Sequence, residues 1–271
     1  MPTAHAERGP HRIWYETAGE SGSPVLLIMG LTMSGIAWHR QVEAFAPHHR
    51  VAVFDHAGVG DSGPISVRRL TMDHLRRDAL SVMDDLGWER AHVVGISMGG
   101  MIAQHLALDA RERVLSLTLA ATHAGGRLPV LPTASGARWF LKVSRAKSQT
   151  ERLDAMTHLL FSDGYRRANP EAAREAIRRD FKSLAPFGVR LRQLHAVSGH
   201  HTAPRLHELR GLPTLVIRPG QDILVPPRES DRLARLIPEA RLARIDEAGH
   251  GVSREGAERF NQASLEHFAR A

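Results

Sequence analysis

Ser97 lies in the run Gly95-Ile96-Ser97-Met98-Gly99-Gly100, directly after the apolar stretch Ala91-His92-Val93-Val94. A serine hydroxyl is a weak nucleophile until a neighbouring base takes its proton. Glycines two residues before and two after a serine suit a sharp strand-to-helix turn, where neighbouring backbone passes close by. Such a turn presents the hydroxyl at the end of a sheet. The bland alternative is a glycine-rich loop that binds phosphate or nothing. Neither G-x-G-x-x-G nor a P-loop lysine is present in the run around Ser97.

The chain has 17 histidines, so a candidate base must be chosen by position. His250, in Glu247-Ala-Gly-His-Gly251, follows the run Arg241 to Ile245, and its flanking glycines let a loop carry the imidazole over a sheet edge. The competing reading is a solvated loop histidine. An imidazole that acts as a base needs a carboxylate to fix its tautomer and stabilise its cation. Asp222 stands just beyond Pro213 to Arg218, one helical pattern and one strand pattern before His250. It could instead be a turn or helix-capping aspartate. Asp246 and Glu247 are rivals, but their closeness in sequence to His250 makes its far nitrogen awkward to reach. The oxyanion of an acyl-transfer intermediate is best held by backbone N–H groups, which are fixed before reaction. The N–H groups of Met98 and of Leu31, after Gly30, are the candidates.

These residues require a scaffold that brings several strand ends together. Short apolar runs at Pro24–Met29, Arg50–Asp55, Ala91–Ile96, Val114–Leu119, Pro213–Arg218 and Arg241–Ile245 read as buried strands. Helical periodicity separates them around 36–45, 70–86, 98–108, 228–237 and 253–271. This alternation specifies βαβ units and a mostly parallel sheet, to which Arg12–Glu16 could add an antiparallel edge strand. Between residues 125 and 210 the alternation stops and only amphipathic helices are legible. The clearest is Glu171 to Leu184, with Ala173, Ile177, Phe181 and Leu184 on one face. Residues 1–124 and 211–271 therefore read as one α/β core, interrupted by a helical insertion at 125–210.

The formal net charge is +7, and arginine supplies 33 of the 36 cations. Residues 125–210 carry a net +9 and the remainder −2, so the insertion holds the basic excess. Solvated helix faces account for this more simply than a nucleic-acid partner, which would call for arginines with aromatics or a known motif. Aromatic residues make up only 5% of the chain. There is no cysteine, which excludes disulfides, thiolate metal sites and a cysteine nucleophile. His48-His49 and His200-His201 point to a metal only weakly, because adjacent side chains rarely face one ion. No metal and no cofactor is expected. No run of 18 apolar residues and no secretory signal is legible, so a cytoplasmic protein without a membrane span is the default expectation.

With these residues on the page, the sequence resembles the α/β-hydrolase family over nearly its whole length. The matching stretches are Ile28-Met-Gly-Leu31, Phe54-Asp-His-Ala-Gly-Val-Gly-Asp-Ser62, Val94-Gly-Ile-Ser-Met-Gly-Gly100, Gly220-Gln-Asp-Ile-Leu-Val-Pro226 and Ala248-Gly-His-Gly251. The chain order Ser, Asp, His fits. The resemblance implies an eight-stranded, mostly parallel sheet flanked by helices, with a helical cap over its C-terminal edge. It implies nucleophile, acid and base roles for Ser97, Asp222 and His250. Esterases, enol-lactonases and polyketide methylesterases are the most similar members. Two departures stand out. Met29 replaces a common histidine before Gly30, and Ala57 replaces a common arginine, so the turn around Gly58 and Gly60 must hold without that ion pair.

A carboxylic-ester or lactone hydrolase acting through an acyl-enzyme is therefore expected, with a small or medium-sized apolar substrate. The alternatives are a C–C bond hydrolase, lyase or cyclase on the same fold, and a non-catalytic binder. Candidate pocket residues are Gly30, Thr32, His123, Leu128, Val130, Leu131, Trp139, Phe140, Leu160, Phe161, Phe187 and Val225, together with Leu31 and Met98. The aromatic and aliphatic residues of the insertion could equally form its own core. The sequence leaves a homo-oligomer open.

Overall fold

The computed structural model describes residues 2–126, 130–180 and 185–271. Among these, eight strands form one sheet: β1 (Thr3–Ala6), β2 (Ile13–Ala18), β3 (Pro24–Ile28), β4 (Arg50–Phe54), β5 (Ala91–Ile96), β6 (Val114–Ala120), β7 (Thr214–Pro219) and β8 (Arg241–Ile245). Their order is β1-β2-β4-β3-β5-β6-β7-β8. The pairs β1–β2 and β2–β4 are antiparallel, and the other neighbours are parallel.

The central strands β3 to β7 are mostly apolar runs because both faces of the sheet are covered there. Along β3, Leu26 and Ile28 pack into one core, whereas Val25 and Leu27 pack into another. The first core is closed by α2 (Met72–Asp85), α3 (Met98–Asp109) and α9 (Pro227–Leu236), through Leu75, Val82, Ile102, Leu106 and Leu233. The second is closed by α1 (His39–Phe45), α10 (Val252–Glu255) and α11 (Ala257–Phe268), with Phe45, Val252, Phe260 and Phe268 against Val94 and Ile217. Between β6 and β7 run α4 (Ala134–Arg145), α5 (Gln149–Leu160), α6 (Asp163–Ala168), α7 (Pro170–Asp180) and α8 (Phe187–Ser198), then a 3₁₀ turn at Leu206–Leu209. Met156, Phe161, Ala173, Ala176 and Ile177 make a small core of their own among these helices. An isolated bridge between Gly125 and His201 closes the base of the excursion. Leu206 and Leu209 already belong to the main core.

The structure departs from the sequence expectations at three places. The edge strand beside β2 is β1, whose Thr-Ala-His-Ala sequence carries no apolar signal and buries only Ala6. The strand expected at the edge, β2, lies one place inward, between β1 and β4. The run Arg241–Ile245 is a strand, but it forms the opposite edge and buries only Ile245, with Arg241, Leu242 and Arg244 exposed. The expected helix 253–271 breaks at Gly256 into α10 and α11. A Cβ at Gly256 would meet Ile245 Cγ2 at 2.8 Å. Of the helix expected at 171–184, α7 covers Pro170–Asp180, and residues 181–184 lie outside the described residues.

The topology creates the crevice. From β3 the chain moves to β4 on one side, and β5 then returns to the other side of β3. The loops leaving the C-terminal ends of β3 and β5 therefore diverge, and a ligand crevice opens at such a reversal. Gly30 to Met33 follow β3, and Ser97 follows β5.

Candidate active site

Ser97 lies between β5 and α3 with φ 56° and ψ −122°. A non-glycine residue at positive φ is uncommon, and such strain persists only where surrounding structure enforces it. Here the enforcement is visible. The Ser97 N–H donates to Ala120 O at 2.9 Å, and Thr122 Oγ1 donates to Ser97 O at 2.7 Å. A Cβ on Gly95 would lie 2.3 Å from Gly99 O, and one on Gly99 would lie 2.0 Å from Ile28 O. Both positions therefore exclude a side chain, as the turn geometry demands. Serine at a helix start normally accepts a bond from the first turn. Ser97 makes no such capping bond, so its hydroxyl is left for other partners. A Cβ placed on Gly30 would stand 3.3 Å from Ser97 Cβ, so the loop after β3 passes directly against the serine. Met98 opens α3, where the first N–H groups lack partners within the helix.

His250 follows β8, and Asp222 follows β7, on adjacent loops. His250 Nδ1 donates to Asp222 Oδ2 at 2.7 Å, and both residues are buried. The other carboxylate oxygen, Oδ1, accepts the Leu224 N–H at 2.8 Å and the Val225 N–H at 2.9 Å. The carboxylate is thus fixed by its own turn and by the imidazole together, so the turn reading and the acid reading coexist in one residue. Nε2 of His250 makes no hydrogen bond among the described residues. The rival carboxylates are engaged elsewhere: Asp246 with Arg218 at 2.7 Å and Glu247 with Arg259 at 2.6 Å. The His250 loop is held by Gly251 N–H donating to Leu160 O at 2.7 Å and by Gly249 N–H donating to Glu255 Oε2 at 2.9 Å. Glu255 also binds the hydroxyl of Ser162.

Ser97 and His250 line the same cavity, of about 370 Å³. Its walls are mainly apolar: Met29, Gly30, Leu31, Thr32 and Met33 from the β3 loop, Leu224 beside Asp222, and Phe140, Met156, Leu160, Phe161, Ile177, Phe187 and Leu191 from the helices between β6 and β7. Of the candidate pocket residues, Gly30, Leu31, Thr32, Phe140, Leu160, Phe161 and Phe187 line this cavity. Six others do not. Trp139 is one residue from Phe140, but it points away from the cavity, stacked on His158 at 3.8 Å with Lys142 Nζ 4.1 Å from its ring. Val225 turns inward and Leu224 takes the wall. His123 packs against His200, with its Nδ1 accepting the Gly125 N–H, and burial lowers its pKa to about 4. Met98 buries its side chain in the main core and is absent from the wall. Val130 and Leu131 are absent from the wall as well, and Leu131 is exposed. Leu128 lies outside the described residues.

Several wall groups had no signal in the sequence reading. Asp180 of α7 receives Arg254 Nη2 of α10 at 2.7 and 2.6 Å on its two oxygens, and both residues line the cavity. Burial pushes the Asp180 carboxyl up and the Arg254 guanidinium down from their ordinary values, against the attraction between them. Arg190 of α8 also reaches the wall, with its Cζ 5.5 Å from the Phe187 ring. The turn lacking arginine at position 57 is held by Asp55. Its carboxylate accepts Ser34 Oγ at 2.6 Å, the Gly35 N–H at 2.8 Å and the Asp61 N–H at 3.0 Å. The basic helix faces are partly neutralised by their own neighbours, as in Arg174–Glu171 and Arg178–Glu175. Among the described residues no group of three or more His, Cys, Asp or Glu could hold a metal, and no helix is long and apolar enough to cross a membrane.

Comparison with known proteins places this geometry. Residues 23–257 match the family model described as the alpha/beta hydrolase fold. RutD of Azorhizobium caulinodans, which carries a provisional assignment as a carbamate hydrolase, is 32% identical over 98% of this chain and 97% of its own. Rhodomycin D methylesterase DnrP of Streptomyces peucetius is 31% identical, with 93% of each chain covered. The crystal structure of the enol-lactonase from Burkholderia xenovorans LB400 superposes with a TM-score of 0.82 at 26% identity, covering 99% of this chain and 100% of that one. The chain belongs to the α/β hydrolase fold family and is a hydrolase of that family.

Proposed function

We propose that the chain hydrolyses carboxylic esters or lactones through a Ser97 acyl-enzyme. The observation that carries this reading is the convergence, on one apolar cavity, of a strained serine with an uncapped hydroxyl and an imidazole already bonded to a buried carboxylate. Ser97 Oγ attacks the carbonyl carbon as His250 Nε2 takes its proton. The N–H groups of Leu31 and Met98 hold the oxyanion that forms. The tetrahedral intermediate collapses, and the imidazolium gives its proton to the departing alkoxide. Water then attacks the acyl-enzyme with the same base, and free Ser97 returns. Asp222 keeps the proton on Nδ1 and stabilises the imidazolium. Residues 125–210 act as a cap whose walls select the acyl and alcohol groups.

The methylesterase and the enol-lactonase both act on ester C–O bonds, which supports the choice of bond. The cavity walls favour an apolar group of modest size. The decisive test is Ser97→Ala, which should abolish turnover of p-nitrophenyl butyrate and labelling by a fluorophosphonate. Retained hydrolysis in a folded Ser97→Ala protein would remove the serine from the mechanism. The C–C hydrolase, lyase and cyclase readings predict weak ester turnover and tolerance of that substitution.

A further inference from the structure

The loop that carries Leu31 is held from two directions. On the core side, His56 Nε2 donates to Met29 O at 2.8 Å. On the other side, the Thr32 N–H donates to Gln193 Oε1 at 2.9 Å. The peptide between Gly30 and Leu31, which bears the Leu31 N–H, therefore lies between two anchored peptides. One belongs to the core. The other is anchored by α8, a helix that also contributes Arg190, Leu191 and Leu194 to the cavity wall.

Thr32 makes the second anchor necessary. Its φ is 63°, and a β-branched residue there is a genuine outlier that relaxes unless held. Relaxation would rotate the Leu31–Thr32 peptide and carry its neighbour with it. Gln193 is fully buried, and its Nε2 has no hydrogen-bond partner among the described residues. A buried amide with one half unsatisfied is a poor space filler, since leucine or methionine would fill the volume without a stranded N–H group. The side chain is explained by what its oxygen does.

We propose that Gln193 is a positioning residue: from α8 it fixes Thr32 and thereby aims the Leu31 N–H at the oxyanion. The proposal rests on the acyl-enzyme reading for the role of Leu31. The geometry of the latch can be judged without it. Substrate seated against α8 and the donor loop then share one support.

The test compares Gln193→Met, which keeps shape and loses the acceptor, with Gln193→Glu, which keeps an acceptor oxygen. With p-nitrophenyl butyrate, Gln193→Met should lower kcat about tenfold, with KM within twofold of wild type, the scale expected for one neutral hydrogen bond in the transition state. Gln193→Glu should recover most of that loss. Amide hydrogen exchange at Thr32 should accelerate in Gln193→Met, while the β3 and β5 amides keep their protection. Unchanged kcat, unchanged exchange at Thr32, or a Gln193→Glu protein no better than Gln193→Met would each overturn the latch. If Gln193→Met does not fold, Gln193→Glu decides alone: kcat near wild type supports the latch, and a tenfold loss overturns it. A wild-type protein without Ser97-dependent turnover would sink the ester reading, and Thr32 exchange would still decide the latch.

Discussion

Gly99→Ala tests the link between backbone packing and chemistry most directly. The new Cβ would stand 2.0 Å from Ile28 O, 2.6 Å from Ile28 C and 2.7 Å from Met29 O. Carbon at ordinary contact needs roughly 3.5 Å. These obstacles are backbone atoms of a central strand, so they cannot swing aside. The start of α3 must shift instead, by on the order of 1 Å, and Ser97 shifts with it. A misplacement of that size costs about 100-fold in rate, equivalent to about 2.7 kcal/mol in the barrier. Overpacking should also lower stability by about 1–3 kcal/mol. The assay is kcat on p-nitrophenyl butyrate and the rate of fluorophosphonate labelling, read beside thermal melting. Gly87→Ala is the control. Gly87 has positive φ, at 65°, and among the described residues nothing lies within 4 Å of its added Cβ. It should lose some stability and keep its kcat. A folded Gly99→Ala protein with kcat within threefold of wild type would refute the claim that this contact holds the serine in place.

Three further outcomes follow from other parts of the molecule. Asp180→Asn leaves the buried Arg254 guanidinium without its charge partner and should cost about 3 kcal/mol in urea unfolding, whereas Asp180→Leu with Arg254→Met should return close to wild type; a loss under about 1 kcal/mol for the single change would refute the pair's role. His92, His123 and His267 are each held near pKa 4 by burial, against about 6.5 in an unfolded chain. Their neutral forms are favoured on folding, so this contribution is complete above pH 6.5 and is lost as pH falls toward 4. Unfolding at pH 5.5 should take up roughly two to three protons from them, measured by calorimetry in buffers of different ionisation heat, and an uptake below one would contradict their burial as neutral groups. Leu191 is 49% exposed at the cavity mouth, so Leu191→Trp should leave the melting temperature unchanged while lowering kcat/KM for bulky esters more than for acetate. Equal effects on both esters would mean that substrate does not pass Leu191.

The strands that hold the site were legible because they are buried on both faces. Pro24–Ile28 is apolar throughout, and Ala91–Ile96 and Val114–Ala120 are apolar except for His92, Ser116 and Thr118, so composition marks them. β1 was not legible, because backbone pairing with β2 holds it in place and its side chains say little. Asp222 and His250 could be chosen from sequence because each sits just past a strand. That they meet at 2.7 Å is a fact of strand order, since β7 and β8 are neighbours. The wall residues were harder. Helix phase decides between Trp139 and Phe140, and a step of one residue turns a side chain by about 100°. Gln193, Asp180 and Arg254 carry no local pattern. Their roles come from contacts across 161 residues for Gln193 and Thr32, and 74 for Arg254 and Asp180, which no window of sequence can see.

The three loops that carry Leu31, Asp222 and His250 each end on a different helix between β6 and β7. Thr32 is bound to Gln193 of α8, Ile223 O accepts the N–H of Thr133 ahead of α4, and Leu160 of α5 accepts the Gly251 N–H. These helices thus stand as a tripod on the loops around the cavity. Exchanging this segment with that of a relative would not be a modular graft. The incoming piece would have to supply all three feet at the correct spacing before any change in substrate preference could register. Divergence of substrate range in such a chain is then easiest at the mouth, around Phe187 and Leu191, where side chains can change without moving a foot.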